Sequence, residues 1–272
     1  MNWTALRITP DTNRDGVIAA LFASGSQGVL EDGLSLVTHF PPGARVDDIR
    51  SGVLSADPRA EVVITSTPAA DYSEWRASVS AHIVGALTIS PPWLAAESDG
   101  ATTVVIEPAM AFGTGEHPTT RGVVRLMQGV VREGDVVADL GAGSAVLAIA
   151  AAKLGASRVA AIELDHDAIE NAEQNVRAND VENRVEVIEG DASTLLPLLA
   201  PLRVILANII SSVLISLLPL LRASLAPDGQ AILSGILTEE RADFLSALDA
   251  ETWVIERETA EDVWWTVQIA PR

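Results

Sequence analysis

The chain contains no cysteine. That absence excludes disulfides, a thiolate nucleophile and any zinc site built on cysteine, and it fits a cytoplasmic setting. Long apolar runs are missing as well. No stretch approaches the ~20 residues a membrane helix needs, because the longest candidates are broken by Lys153, Asn208 or the Ser211–Ser212 pair. The opening MNWTALRITPDTNRDG lacks a basic region followed by an apolar one, so it does not read as a signal peptide, and no membrane partner is expected. Positive charge is scarce. Eighteen Lys plus Arg stand against 37 Asp plus Glu, a formal net charge of −19, and Lys153 is the only lysine. Binding to a phosphate backbone needs basic patches, so direct nucleic-acid binding is not expected. A field of this sign suits a basic partner, although it equally serves solubility.

What is present is ample. With 272 residues, 48% of them hydrophobic, the chain can build one large domain and a small one. The first part reads as short alternating elements: strand 3–9, helix 13–24, two strands in QGVLED and LSLVTHF split by Gly33, helix 46–56 and strand 60–67. Strand–helix–strand–strand–helix–strand is the ferredoxin-like pattern, so residues 1–68 are expected to form a small α+β domain without chemistry of its own. Residues 69–100 read as a linker, with Pro91 and Pro92 interrupting it and Trp75 and Trp93 available to pack it down.

From 101 to 272 apolar strand-like runs (TTVVIE, DVVADL, RVAAIEL, RVEVIEG, RVILANI, QAILSGI) alternate with helical stretches. That alternation predicts an α/β domain with a doubly wound, Rossmann-like parallel sheet. The last two strands, 252–258 and 263–270, are separated by a few residues. A parallel pair needs a crossover of about a dozen residues, so these two must form an antiparallel hairpin.

ADLGAGSA sits between strand VVADL and helix AVLAIAAAKLG. Gly141 and Gly143 fit a tight turn that approaches a ligand, but position 146 is Val, so the dinucleotide fingerprint G-x-G-x-x-G fails. No Gly-Lys-Ser/Thr follows, which removes the P-loop as well. Asp139, two residues before Gly141, would repel a phosphate and suits a ligand carrying an ammonium and a sulfonium; S-adenosylmethionine has both. Glu163 ends the next strand 22 residues after Gly141 (163 − 141), the place from which an acid accepts hydrogen bonds from ribose hydroxyls. Asp191 ends the third strand and is a candidate for the adenine amino group. Taken singly, Asp139 could cap a helix, Glu163 could be a surface acid and Asp191 could start a turn.

AFGTGEHPTT, DLGAGSAVLAIAAAKLGA, AIELDHDAIENAEQNVRAN, LANIISSVLISLLPLL and LSGIL together resemble the PrmA family, methyltransferases of ribosomal large-subunit protein eleven. The resemblance is strong over 107–237 and looser before it, where Trp3, Trp75 and Trp93 carry it. It implies a class I methyltransferase fold and a protein N-methyltransferase. The cofactor would be S-adenosyl-L-methionine and the partner a basic ribosomal protein, free or on the ribosome. Within that resemblance the 112–120 loop closes on the cofactor and Thr120 touches it, while 141–145 forms the floor. Asn208 stands opposite the methyl group, a cofactor contact there as well as a catalytic residue, its side-chain oxygen and a nearby backbone carbonyl accepting hydrogens of the substrate amine; taken singly, an asparagine at a strand end could cap the next helix. Pro118 and Thr119 suit a helix start, with threonine hydroxyls meeting free N–H groups. His117 has no second histidine or cysteine near it in sequence, so a structural role is expected and no metal site. Ala145 and Glu163 stand where relatives usually have Gly and Asp, which implies altered cofactor binding. The same chemistry on another protein or a small amine, and a binding module without turnover, are the alternatives.

Overall fold

The structure, a computed structural model, describes residues 4–26, 29–40, 44–65, 79–95, 102–108, 113 and 115–272, and it divides into compact units at 1–78 and 79–272. Trp3, Trp75, Phe112 and Thr114 lie outside the described residues.

In the first unit the elements are β1 (Thr4–Thr9), α1 (Arg14–Ala23), β2 (Val29–Asp32), β3 (Ser35–Phe40), α2 (Val46–Ala56) and β4 (Glu61–Thr65). Their sheet order is β2-β3-β1-β4, antiparallel throughout. Alternate residues Leu6 and Ile8 of β1 point to one face and pack with Val17, Leu21, Ile49 and Val53 of the helices. Asp57, fully buried, ties the entry of α1 to the end of α2. It accepts from the backbone N–H groups of Asp11, Thr12 and Asn13 at 2.8, 2.8 and 3.0 Å. Those amides, Thr12 and Asn13 foremost, hold its carboxyl well below the usual range.

The second unit begins earlier than the sequence suggests. Residues 82–105 supply β5 (His82–Val84), β6 (Leu87–Ser90), the short α3 (Pro92–Ala95) and β7 (Thr103–Val105). These strands form a separate sheet of order β5-β6-β7, so 79–95 belong to the larger unit rather than to a linker. Within TTVVIE only Thr103–Val105 is strand, and it belongs to this small sheet and not to the large one.

The rest is α4 (Pro118–Met127), β8 (Val136–Leu140), α5 (Val146–Lys153), β9 (Arg158–Glu163), α6 (His166–Ala178), β10 (Val185–Glu189), α7 (Ala192–Leu199), β11 (Leu202–Asn208), α8 (Ser211–Ser224), β12 (Leu225–Leu237), α9 (Arg241–Ala247), β13 (Trp253–Glu261) and β14 (Trp264–Pro271). The seven-stranded sheet has the order β10-β9-β8-β11-β12-β14-β13. It is parallel as far as β12, after which β14 and β13 turn antiparallel. The terminal hairpin and the doubly wound sheet expected from the sequence are both present.

Apolar residues line both faces of the central strands because both faces are covered. Val137, Val204 and Leu206 point into the core under α4, α5 and α6, while Ala138, Leu140, Ile205 and Ala207 point into the one under α7, α8 and α9. Burial on both sides fixes register, since a one-residue slip would exchange the two cores. Among the described residues no helix is long and apolar enough to cross a membrane.

Candidate active site

The strand order reverses between β8 and β11, and there the carboxyl ends of the strands open a crevice. The β8 turn is strapped to β9: the amides of Gly141 and Ala142 both donate to the Ile162 carbonyl, at 2.9 and 3.0 Å. Gly141 takes φ 70°, and a methyl there would lie 2.5 Å from Cγ2 of Ile209, so glycine lets the turn and the β11 end close together. Behind the turn is a cleft of about 360 Å³, lined in part by Gly141, Glu163, Leu164, Asp191, Ile209 and Val213. Its size falls in the range of small-molecule sites.

Each expected residue can now be placed. Asp139 is fully buried beneath the turn. Its Oδ2 accepts from the Ala148 amide at 3.0 Å, while Oδ1 has no hydrogen-bond partner within the protein. Burial pushes its carboxyl up to about 7; the Ala148 amide opposes that shift and the Glu163 charge adds to it. Glu163 folds back on the turn. Oε2 accepts from the Gly143 amide at 2.7 Å, and Oε1 from the amides of Leu164 and Asp165 at 2.8 Å each. A carboxylate offers about four acceptor positions, so three are already in use.

Asp191 lines the cleft, but its Oδ1 accepts from the amide and hydroxyl of Ser193 at 2.6 and 2.5 Å and caps α7. The turn-starting role, an alternative at the level of sequence, is the one visible for that oxygen. Asn208 is half-buried at the end of β11, its Nδ2 directed at the hydroxyl of buried Thr120, 3.5 Å away. That contact is long and weak, yet it orients the amide. The other amide atom, Oδ1, is then turned away from Thr120.

The start of α4 departs from expectation. The cap is His117, not a threonine hydroxyl. Its Nδ1 accepts from the Thr119 amide at 3.4 Å and meets the Thr119 hydroxyl at 2.7 Å, with Pro118 in the first turn. The ring stands edge-on to Trp264 with centroids 5.0 Å apart. Burial lowers its pKa, with the Arg121 charge a smaller cause in the same direction. Arg121 in turn donates to the Glu116 carbonyl and pairs with Glu261 of β13, so the terminal hairpin holds this helix end. His117 is thus a structural residue.

Sequence reasoning missed three contributors. Ser144 donates its hydroxyl to the Gly113 carbonyl at 2.7 Å, so the two glycine stretches are joined directly. Asn175, fully buried on α6, donates to the Ser144 carbonyl at 3.0 Å. Gly235, at φ 84°, lies so close under the Asn208–Ile209 turn that a methyl there would strike the Ile209 carbonyl, 2.8 Å from its carbon. All three fall inside stretches that carry the family resemblance, but nothing local in those stretches announces a role.

The family model described as Ribosomal protein L11 methyltransferase (PrmA) matches residues 52–271. The chain belongs to this family. The Ribosomal protein L11 methyltransferase of Myxococcus xanthus is 36% identical over 216 residues, covering 78% of this chain and 73% of that relative. The one from Lacticaseibacillus paracasei is 28% identical over 97% of this chain and 96% of its own. Alignments with five other curated relatives of the same name span between 54% and 65% of their length. Among solved structures, ribosomal protein L11 methylase from Lactobacillus delbrueckii subsp. bulgaricus superposes with a TM-score of 0.64 at 28% identity, covering 71% of this chain and all of that one. As a member of the L11 methyltransferase family the chain has the class I methyltransferase fold, and the crevice described above lies at the switch point of that fold.

Proposed function

We propose that this chain transfers methyl groups from S-adenosylmethionine to amino groups of ribosomal protein L11, in the cytoplasm. The names of its relatives supply the substrate. The observation that carries the reading of the site is Asn208, at the end of β11 beside Ile209 of the cleft, with its amide nitrogen toward Thr120 and its oxygen turned away.

The residues present suit the cofactor. The turn approaches closely at Gly141, the acids Asp139 and Glu163 surround it where a phosphate would be repelled, and Oδ1 of Asp139 is a buried acceptor still without a donor. An ammonium group would complete it. Gly141 and Gly143 would cradle the ligand, and Thr120 would close the site from α4. Glu163 has about one acceptor position left for a ribose hydroxyl, because the Gly143, Leu164 and Asp165 amides take the others. Bound there, the cofactor supplies an electrophilic methyl group on a sulfonium sulfur.

The chain's own contribution is placement. Oδ1 of Asn208 and the Ile209 carbonyl accept the two hydrogens of a neutral amine and leave its lone pair directed away from both. In-line displacement then needs positioning more than acid–base chemistry. A free lysine amine of pKa ~10.4 is neutral in only about one part in several thousand at pH 7, a cost of roughly 4–5 kcal/mol. Desolvation in the crevice lowers that cost. The proton goes to water before capture, so the rate rises with pH up to the pKa of the bound amine.

The test is methyl incorporation into purified L11, read by mass spectrometry, for the wild type and Asn208→Ala. The variant should lose roughly 10²-fold in kcat while S-adenosylhomocysteine still binds with near-wild-type affinity. If the wild type binds the cofactor but no L11 gains a methyl, the substrate is another protein or a small amine, or the fold serves binding alone.

A further inference from the structure

Helix α6 carries Asn171 and Asn175, and Asn179 caps its C-terminal end, the three one turn apart. Asn175 and Asn179 are 1% and 6% exposed. A buried asparagine near a helix end is costly unless its amide is used, and here every polar atom of both is used on backbone. Asn179 pairs with Val105 as a neighbouring strand would, accepting from its N–H at 2.8 Å and donating to its carbonyl at 2.6 Å. Asn175 does something different. Its Oδ1 accepts from the Glu107 N–H at 2.9 Å, and its Nδ2 donates to the Ser144 carbonyl at 3.0 Å. Ser144 then donates its hydroxyl to the Gly113 carbonyl at 2.7 Å. Glu107 and Gly113, the two ends of one stretch of chain, are therefore both tied to the residue that follows Gly143, one through Asn175 and one directly.

We propose that Asn175 is a positioning residue for cofactor binding, fixing the glycine turn and Glu107 to a single point so that the turn is held in place before the ligand arrives. This rests on the reading of the crevice as the S-adenosylmethionine site. A turn already held by its neighbours has little freedom left to lose, so its ordering is not charged against the binding free energy. Breaking either tie returns that cost to the binding step. The effect falls on cofactor affinity and not on the methyl transfer itself, because the side-chain hydrogen bonds of Asn175 and Ser144 run to Glu107, Asn171 and Gly113 and not to Asn208.

Asn179 provides the contrast: the same residue type, one turn along and also buried, but bound to Val105 of β7 and to the Asn175 carbonyl, without contact to Ser144. The experiment measures the Kd of S-adenosylhomocysteine by calorimetry, together with KM for S-adenosylmethionine and kcat, in the wild type, Asn175→Leu, Ser144→Ala and Asn179→Leu. Leucine keeps the branched shape, with somewhat more bulk, and removes the hydrogen bonds. Asn175→Leu and Ser144→Ala should each raise Kd and KM about five- to tenfold, the fold-change that one net hydrogen bond produces. Their kcat at saturating cofactor should stay at the wild-type value. Asn179→Leu should lower Tm yet leave Kd and KM unmoved. If Asn175→Leu does not fold, Ser144→Ala breaks the circuit from its other side and decides alone. Wild-type Kd in the folded variants overturns the proposal, as does an equal rise in Asn179→Leu, which would mean general loosening. A wild type that binds no S-adenosylhomocysteine would instead remove the site reading on which the proposal stands.

Discussion

Ala145 occupies the left-handed region at φ 64°, ψ 19°, immediately before α5. The resemblance places glycine here in relatives, and the backbone shows why: the turn keeps the glycine conformation although the residue has a Cβ. A non-glycine residue in that region costs about 1–2 kcal/mol, part of which glycine gives back through its freer unfolded chain. Ala145→Gly should therefore stabilise the protein by about 1 kcal/mol in urea unfolding; an unchanged or lower midpoint would show that the turn is not strained. Asp139 gives the second prediction at this scale. Its carboxyl is raised to about 7 by burial, so the folded, ligand-free protein holds a proton there that the unfolded chain releases near pH 4. Stability from this group consequently falls as pH rises from about 4 to 7 and is level above. A ligand ammonium beside Oδ1 favours the charged form, so cofactor binding below pH 7 should expel a proton and affinity should climb toward pH 7. Calorimetry of S-adenosylhomocysteine binding at pH 6, in two buffers of different ionisation heat, would detect the proton. Asp139→Asn should abolish it, and a proton released undiminished by that variant would assign it elsewhere.

At the scale of elements, β12 is where site and sheet meet. Its pairing with β14 shifts register between Leu233 and Ile236, an irregularity that brings Gly235 under the Ile209 peptide. Gly235→Ala should displace the Ile209 carbonyl and, if that carbonyl accepts an amine hydrogen as proposed, cost at least roughly tenfold in kcat, with far-UV circular dichroism unchanged. Wild-type turnover in that variant would show that the peptide takes no part. The long elements were legible in the sequence: α2 lies at 46–56 as its spacing predicts, and the brevity of the last connection forces the β13–β14 hairpin. The β5 and β6 strands were not, because runs of three and four residues carry too little periodicity to separate from a proline-bearing linker. In the site, the strand-end acids and Asn208 are candidates on sequence alone because the fold brings strand ends together; what the structure adds is that Asp191 caps α7. Asn175 could not, since a polar residue on an exposed-looking helix reads as solvated until the segment that covers it is known. His117 as a cap was equally hidden, because histidine is not among the residues that favour that position.

For the whole molecule the governing quantity is the net charge of −19. Charge of one sign acts over about a Debye length, ~10 Å at 0.1 M salt, so it steers encounter with a basic partner far more than it stabilises a finished contact. It also separates two readings of the substrate that the crevice alone leaves equivalent, because Asn208 would present an amine in the same way on a protein or on a small molecule. If the partner is a basic ribosomal protein, kcat/KM should fall on the order of tenfold or more between about 0.05 and 0.5 M salt. The change should appear in KM, while kcat holds, because positioning inside the crevice is short-range and shielded. A small amine carries one charge and would feel a much weaker dependence. Steady-state rates with L11 and with a free lysine derivative, measured across that salt range on the same preparation, give the comparison. A steep loss for L11 beside a shallow one for the free amine supports a protein substrate drawn in by the acidic surface. Equal slopes would leave that charge no part in recognising the substrate.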